Sequence, residues 1–133
     1  MSTISGFIAC TLSVPCAALE KLAADCVRTL DPFRAPLSDE ETARRRRGGL
    51  TPRQDEYLLT WGYPYVFEEF RFHMTLTGRL EEPERVRVLA ILRARAKPIA
   101  GMPLSIDAIA VYEQPDRDRP FLMSARYPLG EGG

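Results

Sequence analysis

Histidine is nearly absent from this chain of 133 residues, which has a single one, His73. The three cysteines, Cys10, Cys16 and Cys26, show no Cys-x-x-Cys spacing and have no histidine close to them in sequence. This pattern argues against a zinc site, and the odd number argues against a disulfide framework. The sequence therefore predicts no bound metal and three small buried side chains in the reducing environment of the cytoplasm.

The absence of several other sequence features excludes further classes of protein. The chain has no run of eighteen apolar residues and no basic segment followed by an apolar stretch, so we expect neither a membrane span nor a signal peptide. No Gly-rich phosphate loop, P-loop or Rossmann motif occurs, and we predict no cofactor. A net charge of zero argues against bulk electrostatic binding of nucleic acid, although arginine greatly outnumbers lysine.

The elements that are present predict an α+β fold with a single domain over residues 1–133. Apolar, β-rich runs predict four strands, at Gly6–Leu12, around His73, at Leu104–Tyr112 and at Phe121–Tyr127. Amphipathic patterns predict two main helices, at Pro15–Leu30 and Pro83–Ala96. Capping signatures at Ser38 and Thr51 add a short helical insert. We expect an antiparallel-dominated four-stranded sheet with the two main helices on one face.

The segment around His73 alternates between two kinds of side chain. If residues 70–80 form a strand, successive side chains point to opposite faces. One face then carries the apolar side chains, Phe70, Phe72, Met74, Leu76 and Leu80. The other carries Arg71, His73, Thr75, Thr77 and Arg79. Guanidinium and hydroxyl groups donate hydrogen bonds to phosphate oxygens, and histidine exchanges a proton near neutral pH. The pattern predicts part of a phosphodiester-processing site.

Two neighbouring features have more than one interpretation. Tyr63 and Tyr65, like Trp61, precede the strand and would either stack on a base or ribose or pack in the core. The four arginines at positions 44–47 would either clamp an anionic substrate or end a helix in solvent. For the arginines we favour the helix end, because positive charge there complements the helix dipole.

Several segments resemble a known family. His73-Met74-Thr75-Leu76 is similar to the His-x-Thr-x motif of the 2H phosphoesterase superfamily. The ordered set of segments 31–37, 51–54 and 61–66 resembles a bacterial branch found with phosphonate-utilisation genes, the DUF1045 proteins. The likeness runs from Gly6 to Gly130.

The resemblance implies a metal-independent reaction on a cyclic or linear phosphodiester, such as a ribosyl phosphate linked to phosphonate breakdown. Within such a site His73 would be the general base or acid, and Thr75 would donate to a phosphoryl oxygen. Arg71, Thr77 and Arg79, with Tyr63 and Tyr65, are the expected substrate-binding residues around this pair. The expected ligand is thus a phosphorylated small molecule or nucleotide.

The motif occurs once here, whereas the superfamily carries it twice, in two similar lobes. The resemblance therefore implies that the chain corresponds to the C-terminal lobe of a two-lobed protein. A missing N-terminal lobe, or a second copy in a homodimer, would supply the other histidine. The alternative is a non-catalytic module that binds phosphate or nucleotide through a half-site.

Overall fold

The structure is a computed structural model that describes residues 1–116 and 118–130. Contacts divide the chain into two compact units, Met1–Ala96 and Lys97–Gly133. The prediction of one domain over residues 1–133 stays a prediction.

A three-stranded antiparallel sheet forms the centre of the N-terminal unit. Its strands are β1 (Ser2–Ile4), β2 (Phe7–Thr11) and β3 (His73–Thr75), in the order β1-β2-β3. The two-residue turn between β1 and β2 has positive φ at both positions, 46° at Ser5 and 90° at Gly6. Turns of this kind match the twist of antiparallel strands, so the Ser-Gly pair closes a tight hairpin.

Within the described residues, the N-terminal unit also contains four helices. They are α1 (Ala17–Leu30), α2 (Asp39–Arg46), α3 (Pro52–Trp61) and α4 (Glu84–Arg95), with short 3₁₀ turns at Asp31–Phe33 and Phe67–Glu69. Ser38 accepts a hydrogen bond from the backbone N–H of Glu41, and Thr51 forms a capping box with Gln54. These contacts confirm the predicted starts of both helices in the insert.

The best-buried apolar side chains of the described residues come from β2, α3 and the segment after α3. They are Ile8, Ala9, Tyr57, Leu58 and Val66. Met74 and Leu76 are 46% and 42% exposed, so the apolar face predicted for the His73 segment is only partly covered. Phe70, Phe72 and Leu80 of that face are half-buried.

The C-terminal unit contains one antiparallel hairpin. Its strands are β4 (Ala108–Glu113) and β5 (Leu122–Pro128), and their register shifts between Val111 and Tyr112. The connection between them includes position 117, which lies outside the described residues.

The α+β class is confirmed, but the single four-stranded sheet is wrong. Within the described residues the strands form a three-stranded sheet and a separate hairpin. The unpredicted strand β1 pairs with one edge of β2, and β3 pairs with the other, so both edges of β2 are used. Strands β4 and β5 follow each other closely in sequence and pair with each other. Among residues 1–116 and 118–130, no helix is long and apolar enough to cross a bilayer.

Gly62 ends α3 and gives a test of the local packing. Its φ is 73°, and a Cβ atom there would lie 2.9 Å from Arg34 Cδ and Nη1. The Arg34 guanidinium donates to Asp31 Oδ1 at 2.8 Å and to the Thr60 carbonyl at 3.0 Å. A side chain at position 62 would therefore disturb these two hydrogen bonds.

We expect Gly62→Ala to lower the free energy of unfolding by about 2–3 kcal/mol, measured by urea denaturation. Gly49→Ala is the matched control, since Gly49 has a φ of 71° and no atom within 4 Å of the added Cβ. The control should lose about 1–2 kcal/mol, from the left-handed backbone alone. Equal losses in the two variants would contradict the proposed role of Arg34.

Candidate functional site

The strand β3 places His73 and Thr75 on one exposed face. Thr11 is the cross-strand partner of His73, and Ala9 is the partner of Thr75. Both His73 and Thr75 are exposed, as the alternating pattern predicts for the polar face. The regular strand is short, because its paired residues are His73–Thr75 alone.

A backbone contact fixes the orientation of the His73 ring. Its Nδ1 lies 2.7 Å from the carbonyl oxygen of Arg71. A carbonyl oxygen only accepts, so Nδ1 carries the proton and donates it, which leaves the Nε2 lone pair of the neutral ring unshared. The ring also packs at 5.7 Å, centroid to centroid, from Phe7. His73 is thus held in the tautomer that a general base requires.

The other predicted residues of this strand have different surroundings. Arg71 is exposed and lines a cavity at the end of the sheet. Thr77 Oγ accepts from the Ile8 N–H at 3.0 Å and donates to the Gly78 carbonyl at 2.8 Å. Its proton is therefore committed to the backbone. The Arg79 side chain passes over the hairpin turn, with Cγ 3.8 Å from where a Cβ of Gly6 would be.

Tyr63 and Tyr65 lie in a different environment. Their rings pack edge to face, with centroids 5.6 Å apart, and the Arg45 guanidinium lies 5.4 Å from the Tyr63 ring. Tyr63 lines a cavity of about 330 Å³ together with Trp61, and none of residues 70–80 lines it. His73 and Thr75 thus share one face of β3, Arg71 lines the cavity at the end of the sheet, and Tyr63 lines the other cavity.

The run of four arginines has mainly structural contacts. Arg44 pairs with Glu41 at 3.0 Å, and Arg46 binds both carboxylate oxygens of Asp55 at 2.6 and 2.9 Å. Arg45 faces Tyr63 as described above. Three of the four arginines are in the last turn of α2, where positive charge complements the helix dipole.

Sequence reasoning missed three residues on the face of His73. They are Ser2, Phe7 and Thr11, and the strand register places them on that face together with Ile4 and Ala9. Ser2 Oγ donates to Thr11 Oγ at 3.2 Å. The alternation of Phe7, Ala9 and Thr11 along β2 was the available signal. The sequence alone did not predict that β2 pairs with β3 in this register.

A cavity of about 460 Å³ opens at the end of the sheet where β2 finishes and β3 begins. Its lining includes Ser2 and Thr11 of the sheet, and Arg71 just before β3. It also includes Cys16 and Glu20 at the start of α1. Within the described residues, no three histidine, cysteine or carboxylate side chains lie together as metal ligands would.

The turn Phe67–Glu69, which leads the chain toward β3, is fastened to α3. The carboxylate of Glu68 accepts from the Tyr57 hydroxyl at 2.5 Å and from Arg53 Nε at 3.0 Å. The hydroxyl of Tyr57, a backbone N–H and Arg53 together hold the pKa of Glu68 at about 2, well below its usual range. Gln54 Nε2 donates to Glu69 at 2.8 Å, so α3 holds two consecutive residues of this turn.

Fold and site together define a small α+β protein with a histidine and a threonine on one exposed strand face. A family model described as a protein of unknown function, DUF1045, matches residues 1–122. The match covers most of the chain, which therefore belongs to this family, as the ordered segments predicted. Its place in the 2H phosphoesterase superfamily stays a prediction.

Two curated relatives are similar over most of this chain. The first, from Janthinobacterium sp. (strain Marseille), is 38% identical over 131 residues, which are 96% of this chain and 29% of the relative. The second, from Laribacter hongkongensis (strain HLHK9), is 32% identical over 120 residues, which are 90% of this chain and 27% of the relative. Each is named ribose 1,5-bisphosphate phosphokinase PhnN. The chain thus spans less than a third of either relative, and no solved structure matches it.

The low pKa of Glu68 predicts how stability depends on pH. Because its folded pKa of about 2 is below the ordinary 4.5, Glu68 stabilises the fold fully above that ordinary value. This contribution is lost as the pH falls from about 5 toward 2. We therefore expect Glu68→Gln to lower the thermal midpoint at pH 7 and to flatten its decline between pH 5 and 2.

The matched control is Glu84→Gln, since the Glu84 carboxylate lies on exposed α4 with Arg87 3.9 Å away. Thermal unfolding followed by circular dichroism across this pH range measures both variants. If Glu84→Gln flattens the profile as much as Glu68→Gln does, the contacts of Glu68 are not responsible.

Proposed function

We propose that this chain supplies an acid–base half-site of a metal-independent phosphoesterase that acts on a phosphodiester. The observation that carries the proposal is the geometry of His73. Its Nδ1 is occupied by the Arg71 carbonyl, and its Nε2, which has no partner among the described residues, lies on an exposed strand face that it shares with Thr75. The resemblance of residues 73–76 to the His-x-Thr-x motif supports the same role.

The chemistry proposed for this half-site is proton transfer at phosphorus. The oxygen of water or of a neighbouring hydroxyl forms a bond to phosphorus, and its proton moves to His73 Nε2. The bond from phosphorus to the leaving oxygen breaks, and that oxygen takes up a proton from a second group. Thr75 donates its hydroxyl proton to a non-bridging oxygen, where negative charge increases in the transition state. In the reverse assignment His73, once protonated, gives its proton to the leaving oxygen.

We infer the substrate class from the family and from the named relatives. Those relatives are named for an enzyme of ribose 1,5-bisphosphate, so a phosphorylated ribose is the substrate class that we propose. The kinase activity in the names belongs to proteins of which this chain matches less than a third, and we do not extend it to this chain. A ribosyl phosphodiester formed in phosphonate breakdown would contain both the phosphodiester that the proposed reaction needs and a phosphorylated ribose. The free cysteines fit the cytoplasm as the compartment.

Substitution of the two motif residues tests the catalytic role. We expect the purified chain to hydrolyse a 2′,3′-cyclic nucleotide or a ribosyl cyclic phosphate in the presence of EDTA. His73→Ala should lower kcat/KM by about 10²–10⁴-fold, because a positioned proton-transfer group contributes that much. Thr75→Val should lower it by about 10–100-fold, the effect of one hydrogen bond to a charged oxygen.

The control for these variants is Met74→Leu, which changes the opposite face of the same strand and should leave kcat/KM within twofold. Hydrolysis that persists in His73→Ala would refute the proposed mechanism. Phosphate binding that depends on His73 but proceeds without turnover would instead indicate a non-catalytic half-site.

A series of leaving groups tests whether one histidine acts alone. A nitrophenolate leaves without being protonated, whereas a sugar alkoxide requires an acid. If His73 is the base and no second acid is present, bis(4-nitrophenyl) phosphate should react faster than an alkyl ester. The ratio of the two kcat/KM values should be about 10²–10⁴-fold larger than it is at a site with both groups.

The measurement is kcat/KM for several diesters over a wide range of protein concentration. If kcat/KM depends less steeply on the leaving group as the protein concentration rises, a second copy supplies the acid. A shallow dependence at every concentration would contradict the half-site and would place the acid within the same chain.

A further inference from the structure

We propose that the cavity at the end of the three-stranded sheet binds the organic group of the phosphodiester, and that this group is a polyhydroxylated alcohol of sugar or nucleoside size. This inference rests on the proposed function for the position of the phosphate. It adds a second subsite, with Thr11 as the residue that positions the alcohol.

The first argument is the position of Thr11. It is the direct cross-strand partner of His73, so the two Cβ atoms lie about 4.5–5.5 Å apart on the same face. Thr75 lies two residues further along β3, about 6.6 Å from His73. A phosphate at His73 and Thr75 therefore has Thr11 at its side, at the end of the sheet where the cavity opens.

The second argument is the hydrogen bonding of Thr11. Its hydroxyl pairs with Ser2 Oγ at 3.2 Å, and with Ser2 as the donor of this pair the Thr11 proton is left to be donated. In the part of the chain that the structure describes, neither this proton nor the Arg71 guanidinium has an acceptor. Both Thr11 and Arg71 line the cavity, so both are placed to donate to a ligand there.

The third argument is the chemistry of the lining. The polar lining residues include four hydroxyls and one carboxylate besides Arg71, namely Ser2, Thr3, Thr11, Ser13 and Glu20. Hydroxyls both donate and accept, as sugar hydroxyls do, and a carboxylate accepts from them. Phe70 and Phe72 add apolar surface for the carbon faces of a ring. A polyol would form more hydrogen bonds with these polar groups than a purely apolar alcohol would.

The size and charge of the cavity further limit the class of ligand that it can bind. A volume of about 460 Å³ is within the range of small-molecule sites, about 300–1,000 Å³. Glu20 and Arg71 give the lining one negative and one positive side chain, so its charges balance and do not require a charged ligand. The cavity is therefore suited to the sugar part of the substrate and the strand face to its phosphate.

Binding measurements separate this subsite from the proposed reaction. Isothermal titration of the full chain would compare inorganic phosphate with ribose 5-phosphate, in the wild type and in Thr11→Val, which keeps the shape and removes the hydroxyl. We expect the wild type to bind ribose 5-phosphate at least about tenfold tighter than inorganic phosphate. Thr11→Val should lose most of that difference, while its affinity for inorganic phosphate changes by less than twofold.

Two further variants are the controls. Thr11→Ser keeps the hydroxyl and should retain the affinity for ribose 5-phosphate. Thr29→Val makes the same change on the exposed part of α1 and should alter neither ligand. Circular dichroism and the thermal midpoint of each variant establish that it is folded, and only folded variants are compared.

The outcomes are distinguishable from those of the proposed function. Ribose 5-phosphate that binds no tighter than phosphate, or equally well in Thr11→Val, would overturn the cavity subsite even if hydrolysis occurs. Binding that depends on Thr11 in a chain without any His73-dependent hydrolysis would support the subsite and reject the catalytic role.

Discussion

The register between β2 and β3 is the constraint on which the candidate site depends. A slip of one residue would move His73 and Thr75 to the opposite face and would bring Met74 into their place. Ile8 opposes such a slip, because its side chain is fully buried and both of its backbone groups bind the His73 segment. Its carbonyl accepts from the Leu76 N–H at 2.9 Å, and its N–H donates to Thr77 Oγ at 3.0 Å. Thr77, which the sequence predicts to bind substrate, thus also helps to set the register.

The chain enters β3 from a turn that other elements hold in an unfavourable conformation. Phe67 has a φ of 53°, which is uncommon for a bulky residue and persists where the surroundings enforce it. Its ring packs edge to face on Tyr57 at 5.4 Å and on Trp61 at 5.2 Å, and the Arg28 guanidinium lies 4.7 Å from its centroid. Both α1 and α3 therefore determine where the strand begins, and the contacts of Glu68 with α3 secure the same turn.

Local signals in the sequence predicted the elements much better than they predicted how the strands pair. The starts of α2 and α3 at Ser38 and Thr51 follow from contacts within a few residues. The pairing of β2 with β3 joins residues more than sixty positions apart, and no local pattern encodes it. His73 and Thr75, by contrast, were predictable because alternation along one strand is a local pattern. The participation of Thr11 and Ser2 required the register, and strand β1 was missed because it is only three residues long.

The single histidine limits what the proposed half-site can do by itself. In one turnover of the proposed reaction, a proton leaves the attacking oxygen and another reaches the leaving oxygen. His73 can carry out one of these transfers, and it must then lose or regain a proton before the next turnover. Threonine hydroxyls and guanidinium groups, such as those of Thr75, Thr11 and Arg71, can donate hydrogen bonds to anions and hydroxyls without giving up their protons. The described residues of this face therefore provide one proton-transfer group and several donors. Binding and orientation of a sugar phosphate require no more than these donors, whereas rapid expulsion of a sugar alkoxide requires a second acid that another lobe or a second copy would bring to the same face.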